Sequence, residues 1–176
     1  MRKTLLAIAT LGALALLMVF AVGALADDGH GKGDGNSSSK HDGDNRGHVL
    51  FESTLAPSVP TDPTIHGVAA AGAPWVIASG EVSISTGGGF KLEVRGLVIP
   101  TPPQNGTNPV ATLSASLFCG ADTTPAATTV SVPFSPAGNA EIRATLTLPA
   151  KCLAPVVLLH PNGGLTRYIG ASGFAG

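Results

Sequence analysis

Charge and aromatic rings are both scarce in this chain of 176 residues: charged side chains make up 12% and aromatic ones 5%, with one Trp and one Tyr. Ten Lys and Arg against eleven Asp and Glu exclude a surface built to track nucleic-acid phosphates. The two cysteines form no Cys-x-x-Cys, which removes the usual redox pattern. Gly-x-Ser-x-Gly is absent, and so is a glycine-rich phosphate loop leading into a helix; Gly87-Gly88-Gly89 lies between two strand-like runs and reads as a hairpin turn. The length allows one modest domain with appendages and excludes a multidomain enzyme.

What is present begins with a leader. Arg2 and Lys3 precede an almost unbroken apolar stretch from Leu5 through Phe20, then Ala21-Val22-Gly23-Ala24-Leu25-Ala26 and the acidic pair Asp27-Asp28. This predicts a signal peptide over residues 1–26, helical in the bilayer, with Ala24 and Ala26 small enough for a peptidase and Asp27 as the first mature residue. The run approaches the roughly 20 residues that span hydrocarbon, so an uncleaved leader holding a membrane-tethered envelope module is the rival reading. The positive mean hydropathy of +0.32 owes much to this one run. Cleavage leaves eight basic against eleven acidic residues, about −3, and a chain with no further membrane contact, exported to the extracellular space or cell envelope.

Residues 27–47 are nearly free of apolar side chains and rich in Gly, Asp, Ser, Lys, Asn and His, which predicts a disordered, mixed-charge spacer. His30, His41 and His48 interspersed with Asp34, Asp42 and Asp44 are possible ligands for zinc, nickel or copper, but a site on a floppy chain must overcome its closure entropy. Asp42 to Gly47 has the outline of a calcium loop, yet Arg46 occupies a ligand position and no closing acid follows. No metal ligand and no cofactor-binding residue is assigned. The triplets Asn36-Ser37-Ser38 and Asn105-Gly106-Thr107 match the glycosylation pattern and are given no role.

From residue 48 to 176 the composition changes to short bursts of Val, Ile, Leu, Thr and Ala punctuated by Pro, Gly, Asn and Asp. In Asn139 to Leu148, Ala140, Ile142, Ala144, Leu146 and Leu148 alternate with Glu141, Arg143, Thr145 and Thr147, and Phe90, Leu92 and Val94 alternate likewise with Lys91, Glu93 and Arg95. Period two puts each apolar set on one face of a strand. Further bursts are His48–Leu55, Trp75–Thr86, Val110–Cys119, Thr128–Phe134, Pro155–His160 and Thr166–Phe174, about eight strands in all. The most helix-like piece, Gly67 to Ala73, is bracketed by Gly67, Gly72 and Pro74. The expected fold is all-β, a two-sheet antiparallel sandwich of immunoglobulin-like or related Greek-key type, with a small barrel as the alternative. Trp75 is expected to plug its core.

Cys119 and Cys152 both fall in the exported part, where an oxidising compartment favours pairing. The disulfide would close about 34 residues and stabilise the fold by roughly 3 to 4 kcal/mol in the chain-entropy model. Catalytic residues do not assemble on paper. Ser172 sits in a terminal strand, and most of Glu52, Asp62, Glu81, Glu93, Asp122 and Glu141 fall on the polar phase of strands. His66 and His160 are the two histidines well inside the folded part, and no third ligand or orienting acid stands at a readable spacing.

Ala115-Ser116-Leu117-Phe118-Cys119-Gly120, and the stretch from Leu148 through Cys152 to His160-Pro161-Asn162-Gly163, resemble small secreted bacterial proteins of uncharacterised activity. Those proteins share a signal peptide, a polar spacer and one cysteine-paired β domain, so the resemblance implies address and architecture. The same segment is slightly similar to the chordin-type secreted β domain, but that family's paired-histidine strand has no counterpart here and the resemblance is not adopted. The function expected is that of a non-catalytic exported binding or structural module, with an envelope or extracellular protein as the candidate partner. The other class is a metal-binding protein or hydrolase using His66, His160 or the tail histidines.

Overall fold

The computed structural model describes residues 47–175, and every regular element in that stretch is a β-strand. The leader, its cleavage residues Ala24, Ala26 and Asp27, and the spacer through Arg46 with His30, His41, Asp34, Asp42 and Asp44 lie outside the described residues. The strands are β1 (Val49–Pro57), β2 (Ala69–Ala70), β3 (Ser79–Ser85), β4 (Gly89–Arg95), β5 (Thr112–Phe118), β6 (Ala127–Thr128), β7 (Val132–Pro133), β8 (Ala140–Thr145), β9 (Val156–Pro161), β10 (Arg167–Tyr168) and β11 (Gly170–Ser172). No helix among the described residues is long and apolar enough to cross a membrane.

Nine strands form one curled antiparallel sheet in the order β6-β5-β9-β11-β1-β3-β4-β8, with β7 also on β5. The curl is made by β1, which changes neighbours along its length: Val49 to Thr54 pair with β3, and Leu55 to Pro57 pair with β11. Val49 faces Ser85 while Phe51 faces Ile84, so Leu50 is an extra residue, a bulge that increases local twist. Val82, Leu92, Val94 and Ile142 from one limb of the sheet meet Leu113, Leu117, Val157 and Leu159 from the other in a single cluster completed by Trp75 and Phe134. The alternation read in β4 and β8 puts the fully enclosed Leu92 and Ile142 directly opposite each other, each worth about 1.5 to 3 kcal/mol of burial. Gly88, with φ of 78°, turns the β3–β4 hairpin, and its nitrogen donates to the Ser85 carbonyl at 2.9 Å.

The strands number eleven where about eight were expected. The Thr128–Phe134 burst splits into β6 and β7 because the chain there carries one more residue than β5 between the pairs Ser116–Thr128 and Leu113–Val132. The terminal burst splits into β10 and β11 at Ile169, whose nitrogen donates to the Leu159 carbonyl. The third addition is β2, a two-residue strand too short to show a period. It pairs in parallel with β10, Ala69 to Arg167 and Ala70 to Tyr168, where only antiparallel pairing was expected. Residues 58–75 carry β2 and form a strap over the outer side of the β5–β9–β11 limb with Ile65, Val68 and Ala70, before Ala71, Ala73 and Trp75 return to the main core. Under it lies a second apolar cluster of Val68, Ala70, Phe118, Leu158, Tyr168 and Ala171.

Candidate functional site

Among the described residues the first half of β1 pairs with β3 alone, so it stands apart from the end of β5, and a cleft of about 210 Å³ lined by apolar side chains opens beside it. Its lining is Leu50 and Phe51 from β1, Ile84 from β3, Leu117 from β5, and Leu148, Pro149, Ala150, Cys152 and Pro155 from the β8–β9 connection. Local sequence explains each wall. The bulge at Leu50 re-aims a side chain that would otherwise follow the strand's alternation, and it remains 60% exposed. Pro149 and Pro155 keep the connection out of the sheet. The Cys119–Cys152 disulfide, present as expected, pins that connection to the end of β5. No lining side chain carries a charge, hydroxyl or amide, so the cleft suits apolar groups, at about 0.8 kcal/mol per methylene buried.

The polar residues singled out from the sequence lie elsewhere. His160 stands next to the end of β9, beside the turn that follows, and has no exposed surface at all; it shares the face of Leu158 and meets β10 through Arg167. Its Nδ1 lies 2.9 Å from the Arg167 carbonyl oxygen, so that nitrogen donates and Nε2 carries the lone pair. Among the described residues Nε2 has no hydrogen-bond partner, and neither has the hydroxyl of Ser114, the residue paired with His160 across the β5–β9 ladder. Burial lowers the His160 pKa from the ordinary 6.5, while the bond to the Arg167 carbonyl pulls the other way. Tyr168 donates its hydroxyl to the Pro63 carbonyl at 2.8 Å; burial, then the Asp62 carboxylate, raises its pKa above the ordinary value.

His66 is on the strap, with a φ of 50°, its ring stacked on Phe118 at 4.8 Å and its Nδ1 2.7 Å from the Asp122 carbonyl oxygen. Phe118 is four residues along β5 from Ser114, roughly 13 Å at strand spacing, so the two histidines do not converge. Ser172 accepts the Val157 amide at 3.0 Å, and Asp62 accepts the Val59 amide at 2.8 Å. Glu81, Glu93 and Glu141 lie in one cross-strand row, with Glu52 in the neighbouring row beside Ser83, Lys91 and Arg143. Lys91 and Arg95 bracket Glu93, and Arg143 reaches Glu141 at 2.5 Å. No group of three or more His, Cys, Asp or Glu is placed to hold a metal among the described residues.

Sequence reasoning missed the Ser114–His160 pair. Its signal was the run Val156-Val157-Leu158-Leu159, continuous rather than alternating, which marks a strand covered on both faces. No protein-family model, curated protein or solved structure matches the chain.

Proposed function

We propose that the chain is an exported, non-catalytic β module of the extracellular space or cell envelope that acts by holding an apolar group in the cleft beside β1. The observation that carries this reading is the cleft itself, walled by a disulfide-pinned connection and free of any group that does acid, base or nucleophilic work. A disulfide is consistent with an extracellular location, because thiol-reducing compartments do not keep such bonds. The histidines that a metalloprotein or hydrolase would need are engaged separately, one sealed under the strap and the other stacked on Phe118. We further read the two limbs of the curled sheet as the two layers of a sandwich with β1 as the shared corner strand. The single core drawn from both limbs supports this.

The test is a titration of an apolar, environment-sensitive fluorophore into the mature protein and into Leu50→Lys, a substitution at a largely exposed bulge that the core tolerates. Saturable uptake by the parent and at least about tenfold weaker uptake by the variant is the expected result, since lost apolar contact plus a desolvated ammonium exceeds about 1.4 kcal/mol. Equal uptake by both removes the cleft from the account.

A further inference from the structure

Two buried polar atoms without partners sit on residues that face each other across the β5–β9 ladder, Ser114 Oγ and His160 Nε2. The other nitrogen of the same imidazole grips the Arg167 carbonyl, and Arg167 opens β10. Through β10 that grip reaches the strap. Ala71 donates to the Tyr168 carbonyl at 2.8 Å, the Ser58 hydroxyl to the same carbonyl at 3.2 Å, and Arg167 Nη1 to the Ala70 carbonyl at 3.0 Å. The histidine is therefore the first link of a chain of hydrogen bonds that runs from the sheet into the segment covering it.

We propose that His160 is an acid-operated latch: with a neutral ring it holds β10 and the strap against the sheet, and on taking up a second proton it releases them and uncovers Phe118, Leu158 and Tyr168.

The physical case rests on where the added charge would sit. An imidazolium in a fully enclosed position needs a counter-charge, and no carboxylate is hydrogen-bonded to this ring among the described residues. Groups able to carry charge on the elements packed around it are few. On β10 they are Arg167, a cation whose guanidinium is directed to Ala70, and Tyr168, directed to Pro63. On the strap they are Asp62, occupied by the Val59 amide, and His66, and on the loop after β5 there is Asp122. β5, β9 and β11 contribute no other charged or titratable side chain. Among the described residues no side chain is hydrogen-bonded to the His160 ring, and its one hydrogen bond is to the Arg167 carbonyl.

Burial outweighs the bond to the Arg167 carbonyl, which by itself favours the charged ring, so the net shift of the His160 pKa is downward. The closed form binds the proton less readily than an opened one, so closure is fully favoured above about pH 6.5 and weakens as pH falls below it through the closed-state value. Opening is local because the strap's own sheet is a pair of two-residue strands, whereas β3, β4 and β8 pair over five or more residues.

Amide hydrogen exchange on the full mature chain, corrected for intrinsic rates, tests this between about pH 7.5 and about pH 5, the interval histidine titration spans. Protection at Ala69, Ala71 and Tyr168 is expected to fall at least about threefold relative to Leu92 and Val94. His160→Asn is expected to lose that differential response, and His66→Gln, which changes the strap's other histidine, to keep it. No differential loss in the parent, or its disappearance in His66→Gln with persistence in His160→Asn, overturns the proposal. Should His160→Asn not fold, nuclear magnetic resonance titration of the parent's imidazoles decides: the His160 inflection coincides with the strap's loss of protection, or the latch is wrong.

Discussion

His160 and Gly138 show how much a single position can carry in this domain. Gly138 has a φ of 74°, its carbonyl accepts the Leu97 amide at 3.0 Å, and a methyl group placed on it would run into the Leu97 backbone. Both the left-handed backbone and the close approach demand glycine there. Gly138→Ala is expected to cost about 2 to 4 kcal/mol, combining a strained conformation with displacement of the β4–β8 corner. Chemical denaturation reads this as a lower midpoint at unchanged slope, and a midpoint within error of the parent contradicts the assignment. Sequence alone identified residues of this kind unevenly. Trp75 was readable as a core plug because a lone large ring in a domain poor in aromatics has few other places to go. His160 was not, since what it meets is β10 folding back over β9, a return that no local pattern announces.

Among the elements, β4 and β8 were legible because strict alternation encodes one wet and one dry face, and their register brings Leu92 onto Ile142. The strap and β2 were not legible, because two alanines in parallel pairing with β10 leave no periodic trace. The wet face holds its own tension. Glu81, Glu93 and Glu141 stand directly opposite one another on β3, β4 and β8, and like charges so placed are destabilising. Lys91, Arg95 and Arg143 offset this at Glu93 and Glu141, while no ion pair reaches Glu81 among the described residues. Glu81→Lys is therefore expected to raise stability by about 0.2 to 1 kcal/mol at low salt. The gain should shrink as salt screens the exposed pair, and a thermal melt series in rising salt measures it. A loss of stability at low salt would show that the acidic row is held favourably by contacts other than those described.

For the molecule as a whole, topology and covalent chemistry act together. A sheet whose halves share only β1 as a corner leaves the first part of that strand without a second neighbour, and the disulfide secures the connection facing it. The bridge joins residues 33 apart in sequence, a contribution of roughly 3 to 4 kcal/mol in the chain-entropy model and a substantial fraction of ordinary domain stability. Both the all-β class and this bridge were readable, from strand grammar and from two cysteines in a chain whose N-terminal apolar run reads as an export leader. The curl was not, because no local pattern says that one strand serves both limbs. Export is the premise that joins the bridge, the leader and the proposed role. The most direct measurement is the intact mass, by mass spectrometry, of the protein recovered outside the cells that make it. The expected mass is that of a chain starting at Asp27 with two hydrogens fewer than its reduced form, whereas a chain retaining residues 1–26 or carrying two free thiols would contradict the account.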